Sequence, residues 1–553
     1  MDVYAPQVWL PHERPLLPGS PSSPLHTAPR RLAFFVVGFI VAITGGLGNA
    51  LVSVNLPYLQ GSLGVYSAEI QWLPAAYVMA NVSMNLLLVK FRQQYGLRLF
   101  TELFLVIYAI ATVAHLFVHG LGSAIAVRVA HGMSGAALST LGLYYVLQAF
   151  PAQHRLKGVV LGIGFSQLAL PMARLFSSEL MEYGEWRGLY FFELGLALLS
   201  LACVLVLKLP PGDRIKAFEK MDFLTFGLFA PGVALLSAVL ALGRTVWWLE
   251  SRWLGVSLAG AIVLIAGALL VEHNRARPLL NTRWLTNANI ARLALSVLLI
   301  RVVQSEANGT VGFLQTLGLN NDQMQMLWWV VMAGTVAGLV LSALTITPAR
   351  IPLQLMFSLA VMAAGAYMDS DATNLTRPAD LYVSQFLLGF GGAFFIGPTF
   401  VSGFGAVIAA PNNLVSFSVM FSITQTLGTL LGSALVGTFQ SVREKFHSSI
   451  LVDHLTLLDP LVAARIQSGG AALADPSTRG ATGVAALGAA ATREANILAY
   501  NDVFLMITLV ALLTLAWMLA RYLWDICVVC QAKPAHNAQT GMANVSLNNS
   551  GAR

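Results

Sequence analysis

An all-α membrane protein is what the sequence predicts: fourteen transmembrane helices in two six-helix halves, with two extra helices inserted between them. Three observations predict it. Of the 553 residues, 57% are hydrophobic and only 10% charged, against roughly 25% charged in soluble domains. Fourteen stretches of about 20 apolar residues follow one another along the chain, each long enough to cross a hydrocarbon layer. The third is an internal repeat: Arg128-Val-Ala-His-Gly132-Met-Ser-Gly135-Ala136 aligns without a gap with Gln385-Phe-Leu-Leu-Gly389-Phe-Gly-Gly392-Ala393, at a constant offset of 257 residues.

Residues 1–31 are polar and carry seven prolines, which reads as a disordered cytoplasmic tail with no cleaved signal. The N-terminal half, 32–207, holds spans 1 to 6: Leu32–Leu56, Ile70–Val89, Leu99–Val118, Gly122–Phe150, Gly158–Leu180 and Leu189–Leu207. The connection 208–288 contributes spans 7 and 8, Phe223–Gly243 and Trp253–Val271. The C-terminal half, 289–525, holds spans 9 to 14: Ile290–Leu317, Met324–Ile346, Pro352–Met368, Leu381–Ala409, Val415–Gln440 and Asp502–Trp524. Residues 526–553 are a second tail. Between spans 13 and 14 lies a long loop, 441–501, expected to face outward as a short helix or a mobile segment.

Orientation follows from the basic residues. With the N-terminus inside, the cytoplasmic tails and loops, together with Arg292 and Arg521 near the cytoplasmic ends of spans 9 and 14, hold 20 lysines and arginines and the short outward loops 4, so both termini are expected in the cytoplasm; the expected membrane is a plasma membrane, a bacterial inner membrane in the simplest reading. Topology, not a nucleic-acid partner, then accounts for the net charge of +7. Three cysteines, Cys203, Cys527 and Cys530, are too few for a disulfide framework. His115 and His119 have metal-binding spacing but no convergent acid or thiol, and read as an interfacial pair. No phosphate-cradling glycine loop supports ATP-driven chemistry, and no cofactor or metal is called for.

Span 4 concentrates the unusual chemistry. Arg128, Gly132, Gly135, Ser139 and Gly142 fall on one stripe, where small residues admit a neighbouring backbone and an arginine at membrane depth costs about 2.5–3.5 kcal/mol on insertion scales. Arg128 and His131 should therefore face the bundle interior. Away from the span ends, Arg174 and Arg301 are also present, against two acids, Glu193 and Glu306, which are the candidates for a group that gains and loses a proton. Gln304 and Asn308 flank Glu306, and the repeat offset carries Glu306 back to Asn49. Aromatics including Trp72, Tyr77, Trp328, Trp329, Phe394, Phe395, Phe417 and Phe421 could wall an apolar cavity.

Several local patterns, in order along residues 32–525, resemble the fourteen-helix drug:proton antiporters of the major facilitator superfamily, the EmrB/QacA type. They are Ser53-Val-Asn55-Leu-Pro57, Gln71-Trp72…Tyr77, Arg128…Gly132…Gly135, Trp186-Arg187, Asp222…Gly227, Glu272…Arg277-Pro278-Leu279-Leu280, Gly389-Phe-Gly391-Gly392…Pro398 and Gln425-Thr-Leu-Gly428…Gly432. The resemblance implies a major facilitator fold and proton-coupled export of small amphipathic compounds by alternating access. It also implies a periplasmic adaptor protein as a partner of the outward loop. Glu306 and Glu193 would carry protons. Arg128, His131, Arg174, Arg301, Trp72, Tyr77, Gln304, Asn308 and Gln425 would line the substrate cavity, and Gly132, Gly135, Pro171, Gly389, Gly392 and Pro398 would serve conformational change. There are departures. The loop after span 2 keeps only Gly96 of the family's charged pattern, span 1 has Gly48 where relatives place an acid, and span 5 keeps Pro171 but carries Ala173 and Arg174. With more arginines than acids away from the span ends, the expected substrates are neutral or anionic. An importer or uniporter, a transporter-like sensor and a histidine-based membrane enzyme stay open as alternatives.

Overall fold

A chain immersed in hydrocarbon has to satisfy its own backbone N–H and C=O groups, and this one does so with helices. The structure, a computed structural model, describes residues 9–10, 13–15, 17–182, 186–471 and 475–548. In the N-terminal half the long helices are α1 (Ala28–Val54), α2 (Trp72–Tyr95), α3 (Leu97–His115), α4 (Leu121–Ala149), α5 (Arg155–Gly164) with its continuation α6 (Ala169–Glu182), and α7 (Trp186–Val206). The inserted pair is α8 (Lys220–Leu242) and α9 (Arg252–His273). The second half has α10 (Ala288–Gln304) continued by α11 (Glu306–Thr316), α12 (Gln325–Thr345), α13 (Ile351–Met368), α14 (Tyr382–Ala409) and α15 (Leu414–Asp453). After a short α16 (Pro460–Gly470), the chain ends in α17 (Pro476–Asn548).

Among the described residues, thirteen helices are long and apolar enough to cross a membrane. Helix α4 is not among them although its 29 residues give it spanning length. Arg128, His131 and its glycines dilute its hydropathy, and most of it packs between α1, α2 and α3, which leaves a strip with Val129 and Met133 exposed.

The repeat is visible in the packing. In the first half α4 crosses α2, with Gly132 against the Tyr77 carbonyl; in the second half α14 crosses α12, with Gly389 facing the Val331 carbonyl. A Cβ on either glycine would meet the partner backbone, so close helix approach requires glycine there. Two breaks interrupt the spans. Pro171 has no N–H to donate, and a 3-10 stretch, Phe165–Leu168, joins α5 to α6 just before it. Ser305 separates α10 from α11, so that Glu306 begins a new helix. Pro398 is buried inside α14, where the neighbouring Gly397 lets Val160 of α5 approach from the other half.

One expectation about the ends of the spans is corrected, and two open points are filled in. Residues 17–27, assigned to a disordered tail, pack against the bundle: Leu17, Ser20 and Ser22 are buried, and α1 already starts at Ala28. Prolines hold this strap extended, and side chains take up its backbone groups: Gln148 Nε2 donates to the Ser22 carbonyl at 2.9 Å and Gln93 Nε2 to the Pro18 carbonyl at 3.3 Å. The segment 441–501 is largely helical, because α15 runs on to Asp453, α16 follows, and α17 begins at Pro476. The charged pattern missing after span 2 is replaced by contacts to the inserted pair. Lys90 Nζ lies 2.6 Å from Asp222, and Arg275 lies 3.0 Å from Asp222, 2.9 Å from Glu219 and 2.6 Å from Glu272. Burial works against the Arg275 charge, but its hydrogen bonds to Glu272, Asp222 and Glu219 outweigh it and push its pKa up. Glu272 also accepts the Leu279 and Leu280 N–H groups, which ties the Arg277-Pro278-Leu279-Leu280 turn to the end of α9.

Candidate functional site

Two cavities enter the bundle from opposite faces. The first, about 370 Å³, opens toward the face where α1 begins, between α2, α4, α5, α14 and α15. Leu17, Ser20, Pro21 and Ser23 of the strap lie across its mouth. The second, about 680 Å³, opens toward the opposite face, beside Gln71, Arg244, Gln440 and Tyr500. Asn81, Ser166, Arg301, Gln425 and Thr426 line both, so the two cavities meet at these residues. The first is lined by Arg92, Arg155 and Arg301, the second by Arg244 and Arg301, and among the described residues no carboxylate lines either.

Arg301 stands at this junction because α10 turns it toward α15, where Gly428 leaves room for its stem. Its partners are all neutral amides: Nη1 donates to Gln304 Oε1 at 2.6 Å and Gln167 Oε1 at 3.3 Å, and Nε donates to Gln425 Oε1. No acid lies within ion-pairing distance of it among the described residues. Gln304 in turn donates to the Gly392 carbonyl at 3.0 Å, the close contact that keeps position 392 a glycine. The aromatic wall beside it is Phe400, Phe417 and Phe421, whose ring centroids lie 5.1–5.9 Å apart.

Of the expected cavity residues, Tyr77 and Asn308 line the second cavity, Arg301 and Gln425 line both, and Gln304 sits behind Arg301. The others are elsewhere. Arg128 and His131 are fully buried behind Asn49 and Tyr77. Arg128 donates to Gly48 O at 2.7 Å, Leu73 O at 3.2 Å and Asn49 Oδ1 at 2.6 Å, and lies 4.5 Å from the centre of the Tyr77 ring. It is consumed by tying α4 to α1 and α2. Arg174 packs over the Trp328 ring at 4.8 Å, on the seam between α6 and α12. Trp72 stacks on Trp253 of the inserted α9, 6.0 Å between centroids. Trp328, Phe394 and Phe395 are core residues, and Trp329 is exposed on the outer surface. His115 is buried 5.0 Å from the His131 ring and stacked on Tyr190 at 4.4 Å, not paired with the exposed His119 at an interface. Cys527 is exposed, while the Cys530 side chain lies outside the described residues.

Each half carries buried acid in a polar network, Glu193 in the first and Glu306 with Asp369 in the second. In the first, Glu193 accepts from Tyr108 at 2.7 Å and lies 2.9 Å from His131 Nε2. Its carboxylate occupies the space beside Gly48, where a Cβ would stand 2.7 Å from Glu193 Oε1 and 3.0 Å from the His131 ring. The position vacant in span 1 is thus filled by an acid from span 6. In the second half, Gln385 Nε2 reaches Glu306 at 3.3 Å, Thr310 Oγ at 3.0 Å and Asp369 at 2.8 Å, and Thr310 donates to Glu306. Asp369 lies just past the end of α13 and escaped the sequence reading because it closes an apolar span like any boundary residue. Gln385 was within reach of that reading. The 257-residue offset that carries Arg128 onto Gln385 also carries Asn49 onto Glu306, and the contact is kept within each half: Arg128 donates to Asn49 at 2.6 Å and Gln385 to Glu306 at 3.3 Å.

Two similar helical halves around cavities that meet at one polar constriction define a class of protein, a membrane transporter. The sequence profile of the Major Facilitator Superfamily matches residues 38–433, and the chain belongs to that superfamily. It is 24% identical over 434 residues to an uncharacterized MFS-type transporter of Mycobacterium tuberculosis, covering 76% of this chain and 72% of that one. To the tetracenomycin C resistance and export protein of Streptomyces glaucescens it is 25% identical over 246 residues, 42% of this chain and 43% of that one. The fold is shared with the human organic anion transporter MFSD10, with a TM-score of 0.52 at 12% identity, over 88% of this chain and all of that structure.

Proposed function

We propose that this transporter is a proton-coupled exporter of small amphipathic organic compounds, neutral or anionic, working by alternating access across a bacterial inner membrane. Both termini face the cytoplasm, the first cavity is the cytoplasmic one, and α4 counts as a crossing, which makes fourteen. The observation that carries the reading is the pair of opposed cavities meeting at Arg301 and Gln425, lined by arginines and no acid. Such walls disfavour lipophilic cations and admit anions. The export names of relatives such as the tetracenomycin C protein support the direction. Glu306 is the first candidate for the coupling proton. It is fully buried beside a second acid, Asp369, with Gln385 between them and Thr310 at Glu306, and no cation in ion-pairing reach among the described residues. Glu193 beside His131 is the second. The helical extension between residues 441 and 501 is the surface a periplasmic adaptor would meet.

The test is uptake into inverted membrane vesicles that pump protons inward. An aromatic carboxylate should accumulate while the gradient stands and leak out when a protonophore collapses it. Accumulation indifferent to the protonophore would remove proton coupling from the proposal.

A further inference from the structure

At the junction of the two cavities, two hydrogen-bond donors have nothing to donate to. Arg301 spends Nε on Gln425 and Nη1 on Gln304 and Gln167, and its Nη2 has no hydrogen-bond partner among the described residues. Gln425 gives its oxygen to Arg301, and its Nε2 is buried without a partner. A guanidinium surrounded by three amides lacks a negative charge, and a buried N–H with no acceptor is costly. An anion with two oxygens would supply both needs, one oxygen on Arg301 Nη2 and one on Gln425 Nε2.

What lies next to these donors specifies the rest of the ligand. Phe417, Phe421 and Gln425 follow one another at four-residue spacing on α15, one helical turn of roughly 5.4 Å per step. Phe421 packs with Phe400 and Phe417 in the wall of the first cavity, so an aromatic face begins one turn from the free amide. An aryl group joined to a carboxylate through a one- or two-carbon spacer has about that reach. We propose that Arg301 and Gln425 form the carboxylate seat of an aryl-alkanoic acid whose ring rests on Phe421 and Phe400. Because Arg301 and Gln425 line both cavities, the same seat serves the substrate from either side. The inference rests on the reading of this cavity as the transport site, and adds to it the residues and the chemical class of the ligand.

The test is equilibrium binding to the purified full-length protein in detergent, with 1-naphthylacetate, its neutral amide and a naphthylmethyl trimethylammonium salt as probes. Wild type should bind the acid about tenfold or more tightly than the amide, and the ammonium least, as expected for a charge-assisted bidentate contact. Arg301→Gln should reduce acid affinity to that of the amide and leave amide binding in place, which also reports that the variant is folded. If Arg301→Gln does not fold, Gln425→Met, which removes one donor and no charge, should narrow the acid-to-amide ratio by itself. An acid no better bound than its amide in wild type, or a preference unchanged in the folded variants, overturns the seat. Vesicle transport separates this from the broader reading: discrimination in binding without transport leaves the seat and refutes the exporter, and transport without discrimination does the reverse.

Discussion

Replacing Leu17 by aspartate should open the first cavity. Leu17 is 5% exposed, lines the first cavity and belongs to the apolar cluster that also takes in Val82, Leu86 and Val89 of α2 and Leu414, Val415 and Phe417 at the start of α15. Losing its burial costs about 2 kcal/mol, and placing an unpaired polar group there costs roughly another 1–3 kcal/mol. The sum moves the docking of the strap by a factor on the order of a hundred to a thousand. The remaining ties include two side-chain hydrogen bonds to its backbone, the Ser22 N–H to Pro211 O contact at 3.0 Å and the His26–Gln148 hydrogen bond at 3.0 Å. They are present with or without Leu17, at about 1 kcal/mol each, and so do not offset that loss. The assay is the rate at which a membrane-impermeant maleimide, added to inverted vesicles, labels a cysteine introduced at Ser418 in the cavity wall, with Cys203, Cys527 and Cys530 replaced by serine. Leu17→Asp should label many times faster than the Leu17 parent. Equal rates would show that residues 17–27 do not occlude the cavity.

The same assay carries a pH dependence. Burial, with help from Arg30 and against the Gln148 hydrogen bond, holds His26 below its ordinary pKa of 6.5. The strap therefore docks with His26 neutral, its contribution complete above 6.5 and lost as pH falls through the lowered value, so labelling should rise on acidification, an increase absent in His26→Gln. Glu306→Gln should abolish proton-driven accumulation in vesicles while binding of 1-naphthylacetate survives; accumulation at the wild-type level would move the coupling role to Glu193. Gly48→Ala forces a methyl toward the Glu193 carboxylate and the His131 ring, and should cost roughly 1–3 kcal/mol, read as a lowered Tm; an unchanged Tm would mean that the Glu193 pocket yields freely. Reporter fusions at Ile215 and Gly470 should give opposite signals, and matching signals would refute the proposed topology.

The architecture was legible in the sequence because its determinants are local. Hydropathy over twenty residues places a span whatever surrounds it, and the 257-residue repeat announces two halves without any knowledge of their packing. The same locality misplaced α4's neighbours: a buried arginine reads alike whether it lines a cavity or binds backbone. Helical spacing says which residues share a face, not what that face meets. Only the folded bundle decided that Arg128 is spent on the carbonyls of Gly48 and Leu73 and that Arg174 lies over Trp328, while Arg301 keeps a free donor where the cavities meet. It also decided that Glu193, 145 residues along the chain from Gly48, would fill the space which that glycine leaves open. Hydrogen-bond partners so far apart in sequence leave no periodic trace in either segment, so the sign and position of the site's charges were settled by packing.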